Sequence, residues 1–122
     1  MPKVFCVEKV RVDVTKAKEF GELTYIFSEH DHNRGNLFDI TEFIKEIGTR
    51  LVEMKFDPQS DIVCIVGRII PVALFQTATI FLLQCRGYDG DLKLLLWNAV
   101  EAEYVVRLIR IKEIVEDGFL AK

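Results

Sequence analysis

The chain has 122 residues, half of them apolar and 29% charged, with a formal net charge of −3. That length suits one domain with a core of its own, and the apolar content excludes a disordered chain. Charges of both signs are interspersed along the sequence, so no face is expected to be basic enough to hold duplex nucleic acid.

Lys3–Val12 is rich in Val with partial alternation and reads as a strand. Asp13–Phe20 is polar and reads as a loop with one helical turn, where Thr15 is placed to cap. Leu23–Ser28 is a second strand after the punctuation of Gly21, and Glu29–Asn36 is a run of polar and small residues that reads as an exposed loop. Asp39 starts the first helix. Its carboxylate can cap the first turn, with Glu42 three residues on as a capping box requires. Ile40, Phe43, Ile44, Ile47, Leu51 and Met54 then follow a 3.6-residue period. Asp57-Pro58 is expected to end this helix, because proline disfavours helix at the residue before it.

Asp61–Val66 is a short continuous apolar run, the pattern of a strand covered on both faces. Gly67 and Arg68 follow, then a helix over Pro71–Arg86 that is apolar nearly all round and is expected to be buried. Leu92–Trp97 and Tyr104–Ile111 are the last strands, joined by a short loop that implies an antiparallel hairpin. Strand, helix, strand over residues 61–97 implies a right-handed crossover between parallel strands. The expected class is therefore α/β (α+β): a single mixed sheet with two helices in the order β-β-α-β-α-β-β. Residues 1–112 form one domain, and residues 113–122 a C-terminal tail.

Between Arg68 and Arg86 no residue is charged. Seventeen residues is about the shortest span of a bilayer, and Pro71, Gln76, Thr77, Thr79 and Gln84 lower the hydropathy, so a core helix is expected and no membrane. Cys6, Cys64 and Cys85 sit in apolar runs. An odd, widely spaced set is no disulfide framework and reads as three reduced core residues in a reducing compartment. The N-terminus lacks the apolar region and cleavage site of a signal peptide.

Four residues could line a ligand site. In open parallel sheets ligands collect at the carboxyl ends of the strands, and Gly67 and Arg68 stand there: the glycine admits a close approach, and the guanidinium suits a phosphate or carboxylate. Asn98, ending the neighbouring parallel strand, and Gln76 could complete a polar pocket. Against this, Gly67 can simply make a turn, Asn98 can bond its own backbone, and Pro71 removes one N–H from the helix start. The loop carrying His30, Asp31 and His32 has the residue types of a metal site. Two histidines two apart fix no tetrahedral geometry, and neither a metal nor another cofactor is expected. No serine lies in a nucleophile elbow, and Cys64 is mid-strand, so no catalytic residue emerges; the enzyme question stays open and leans to a non-enzyme, with a hydrolase using the His30 and His32 loop as a third reading.

Several phrases carry a resemblance: Ala17-Lys18-Glu19-Phe20-Gly21-Glu22-Leu23, Asp61-Ile62-Val63-Cys64-Ile65-Val66-Gly67, and Leu94-Leu95-Leu96-Trp97-Asn98-Ala99 with Tyr104-Val105 after it. With them the chain resembles a family of short proteins common in bacteriophage genomes, over about residues 10–109. Asn98 stands where that family more often has aspartate. In layout, residues 61–86 are also similar to CRISPR-associated ring nucleases, which bind cyclic oligoadenylate as dimers. Their histidine and aspartate pattern after the helix has no match in Arg86–Asp91, so catalysis is not carried over.

The phage resemblance implies a viral origin and the host cytoplasm, and supplies no activity. The expectation is a phage accessory protein that binds a host or viral protein, with Ile114, Val115, Phe119 and Leu120 of the tail as exposed apolar surface. The alternative is a small-ligand or nucleotide sensor or sponge at Gly67, Arg68 and Asn98. A homo-oligomer, in the simplest case a homodimer, is expected, because the last strand would be a sheet edge that needs covering.

Overall fold

The first strand, β1 (Lys3–Glu8), lies inside the sheet and is buried along most of its length. The structure, a computed structural model, describes residues 2–9, 15–28 and 39–119. A 3-10 helix (Thr15–Phe20) leads to β2 (Glu22–Phe27), α1 (Ile40–Glu53), β3 (Ile62–Cys64), α2 (Ile69–Cys85), β4 (Asp91–Asn98) and β5 (Glu103–Arg110). A one-turn helix α3 (Ile111–Ile114) and a π-helical turn (Val115–Phe119) follow. The expected order holds, with the 3-10 and C-terminal turns added.

The five strands form one mixed sheet in the order β2-β1-β3-β4-β5. The first three contacts are parallel and the last is antiparallel. Period-two alternation gives the sheet two apolar faces. Phe5, Val7, Val63 and Leu92 meet Phe43, Ile47 and Leu51 of α1 and Phe75, Ala78 and Leu83 of α2. Val4, Cys6, Ile62, Cys64, Leu95 and Tyr104 meet Ala17 of the 3-10 helix on the other face. The β1-to-β2 crossover thus covers one face, and the crossovers through α1 and α2 cover the other. The chain leaves β1 toward β2 and later continues from β3 toward β4, so the winding reverses between β1 and β3. In such sheets the crevice at the carboxyl ends of those two strands is the topological switch point.

Both long helices close with the same device. Met54 caps α1, and Lys55 and Phe56 bond back to the carbonyls of Val52 and Leu51, with Lys55 in the left-handed region at φ 59°. This ends α1 before Asp57-Pro58 can act, a correction to the expected boundary. Arg86, Gly87 (φ 65°) and Tyr88 repeat the arrangement on α2. At the start of α1 the cap is as expected, Asp39 accepting from the Glu42 N–H at 3.4 Å.

Two expectations about burial are corrected. α2 buries Pro71, Phe75, Ala78, Thr79 and Leu83, but Ile69, Ile70, Ile80 and Phe81 face solvent. A helix packed on one sheet face and one neighbouring helix cannot hide a full apolar circumference. For the same reason Cys85, near its end, is exposed and is no core residue, whereas Cys6 and Cys64 are buried. Among the described residues no helix is long and apolar enough to cross a membrane.

Candidate functional site

Alternation along β1 puts Val4, Cys6 and Glu8 on one face of the sheet. The first two suit that apolar face and the third does not: Glu8 is a carboxylate with its side chain only 4% exposed. One partner comes from sixty residues further along the chain. The backbone after β3 turns at Gly67, whose φ of 143° lies in the region glycine adopts without strain. That turn delivers Arg68 across the carboxyl end of β1. The Arg68 guanidinium donates from Nε to Glu8 Oε1 at 2.6 Å and from Nη2 to Oε2 at 2.9 Å. The pair is bidentate and sits at the topological switch point. Arg68 itself is 57% exposed, so one edge of the guanidinium covers the buried carboxylate and the other meets water. The hydrogen bond to Glu8 raises the Arg68 pKa further above its already high value, and the side chain stays charged.

The register of β3 with β4, Cys64 opposite Leu95, carries Gly67 and Asn98 out at the same edge of the sheet. Asn98 is turned onto its own loop: Oδ1 accepts from the Val100 N–H at 3.1 Å and the Glu101 N–H at 3.2 Å, holding the β4–β5 turn. Gln76 lies seven residues into α2 from Ile69, about 10 Å down the helix axis from that edge. Its Nε2 is buried with no hydrogen-bond partner. The structure therefore brings Gly67, Arg68 and Asn98 to one edge and places Gln76 away from it. His30 and His32 lie outside the described residues, among which no group of three metal-ligating side chains is found.

The carboxyl edge also carries apolar side chains with no cover. Ile69, directly after Arg68, is 87% exposed, and Val100, in the next turn along the edge, is 90% exposed. Ile70 and Trp97 are about half exposed beside them. Trp97 stacks edge-on against buried Tyr104 at 5.0 Å between ring centroids, which fixes the indole in place. At the far edge of the sheet, Leu108, Arg110, Glu113 and Ile114 line an open hollow of about 500 Å³.

Cys6 and Cys64 face each other across β1 and β3 beneath the Glu8–Arg68 pair, since Phe5 is the register partner of Val63. A hydrogen bond to Cys64, helped by burial, pushes the Cys6 thiol far above the ordinary range, so it is no nucleophile.

The sequence reading missed Glu8, Ile69 and Val100. Glu8 left one signal, an acid in phase with Val4 and Cys6 on a face otherwise apolar. Ile69 and Val100 left none that distinguishes them from core residues. A family model described as Phage Pam3 gp32-like protein matches residues 2–111. No curated protein and no solved structure matches the chain.

Proposed function

The chain belongs to the Phage Pam3 gp32-like protein family, and from that premise we propose that it is a non-enzymatic phage accessory protein that binds a host or viral protein through the carboxyl edge of its sheet. The observation that carries this reading is the exposure of Ile69 and Val100 on neighbouring turns, with Ile70 and Trp97 about them. Single exposed aliphatics are ordinary on a protein surface, but a group of them at one edge marks a contact surface. Burying an aliphatic side chain of this size contributes roughly 2 kcal/mol. Three or four such residues supply enough to offset part of the cost of association and give a specific, moderate affinity.

The test uses the full chain immobilised in lysate from phage-infected cells, beside Ile69→Asp, Val100→Asp and Val115→Asp variants. A protein retained by the unmodified chain and by Val115→Asp, at the far edge, but lost with Ile69→Asp and Val100→Asp, is the expected result. An identical set retained by all four would count against the carboxyl edge as the contact surface.

The position of Glu8 and Arg68 favours a second reading, a small-ligand sensor or sponge at the switch point. Two observations weigh against an anionic nucleotide there: Glu8 already neutralises Arg68, and the Asn98 carbonyl oxygen is occupied by its own turn. A thermal-shift panel of nucleotides and carboxylic acids decides it, since any ligand of the native state must raise the melting temperature.

A further inference from the structure

We infer that two copies of the chain pair through β5, joining their sheets edge to edge across a two-fold axis. β5 is one of the two outer strands of the sheet, with β2 at the opposite edge, and is regular for its whole length, every residue from Glu103 to Arg110 having a partner on β4. It contains no proline and no bulge, so its outer edge presents an unbroken row of backbone donors and acceptors. Proteins that stay monomeric usually blunt such an edge.

The side chains select a second copy as the occupant and fix the register. Antiparallel pairing of identical strands about an axis normal to the sheet keeps each face on the same side. Facing residues must then have the same phase along the strand, and the axis passes through one residue. An axis at Arg107 would set two arginines directly opposite, which is destabilising. An axis at Val105 leaves only residues 103–107 paired. An axis at Val106 pairs residues 103–109 with one another and meets neither objection. On the face carrying the 3-10 helix it puts Val106 on the partner's Val106 and Leu108, 44% exposed in the single chain, on the partner's Tyr104. On the helix-bearing face it sets Glu103 diagonal to the partner's Arg107, within reach of long side chains, and symmetry repeats the contact. Neither Glu103 nor Arg107 has an ion pair among the described residues, and Arg107 bonds only the carbonyl of Val106. The complementary charges are therefore available to a second copy.

Sedimentation equilibrium on the full chain tests this, with Glu103→Arg, Arg107→Glu and the double exchange. The unmodified chain should associate as a dimer. Each single reversal should weaken the dimer by on the order of 10-fold, and the double exchange should recover most of that loss. Leu108→Asp, which needs no charge partner, should dissociate the dimer, while circular dichroism shows all four variants folded. A monomer at every concentration would overturn the inference. So would a dimer indifferent to both reversals and to Leu108→Asp, or one that the double exchange fails to restore.

Discussion

Replacing Arg68 with alanine removes the guanidinium from a carboxylate that the fold has already taken out of water. Glu8 loses two charge-assisted hydrogen bonds, of 2.6 and 2.9 Å, while its side chain stays 4% exposed. Removing one partner of a fully buried pair costs about 3–5 kcal/mol. Here the arginine side is 57% exposed, so water enters the space it leaves and recovers part of that, and a loss of about 2 kcal/mol is expected. For a chain of this size that lowers the melting temperature by about 8 °C, and in urea it moves the midpoint without changing the slope. Glu8→Gln, which removes the charge but keeps the shape, should show a smaller deficit than Arg68→Ala. If Arg68→Ala unfolds at the same urea concentration as the unmodified chain at neutral pH, the pair is a surface contact and the reasoning fails.

Lys55 holds a left-handed conformation at the end of α1 that costs a non-glycine residue about 1 kcal/mol, so Lys55→Gly should stabilise the protein by about that amount in urea unfolding. Gln76 carries a buried Nε2 without a partner, and Gln76→Met, which loses no hydrogen bond at that atom and keeps the volume, should be neutral or stabilising by up to about 1 kcal/mol. With Cys6 and Cys64 buried and Cys85 exposed, a disulfide-exchange reagent should titrate one thiol quickly in the native protein and all three in denaturant. Two fast thiols in the native state would show that the sheet opens at β1 and β3.

Local chemistry was legible wherever a feature depends on residues near in sequence. Asp39 and Glu42 gave the start of α1 because a capping bond spans three residues. The run Ile62-Val63-Cys64 read as a doubly covered strand because a strand flanked on both sides must be apolar on both faces. The last hairpin followed from the short connection between Asn98 and Glu103. The end of α1 misled because the left-handed cap is usually glycine, and lysine takes the place here. The buried side of α2 could not be read, since a helix apolar all round has no preferred face, and only the positions of the sheet and α1 decide that Phe75 goes in and Phe81 out. The place of β1 between β2 and β3 was equally hidden, for alternation sets which face a residue takes and is silent on strand order. That hidden order is what brings Glu8 to Arg68.

The same order explains why the edge that would ordinarily hold a ligand reads better as a contact surface. A switch point attracts ligands because it leaves polar groups facing a crevice with nothing to bond. At this one the strongest groups are already used: Arg68 is taken by Glu8, and Asn98 by the turn it supports. Among the described residues, what stays exposed there is apolar, at Ile69, Val100 and Trp97. The free energy that edge can still release lies in removing hydrocarbon from water, and that release scales with area and is insensitive to salt. A partner that binds there should therefore do so with a negative heat-capacity change and almost the same affinity at low and high ionic strength. An anion drawn to Arg68 would instead be weakened by salt.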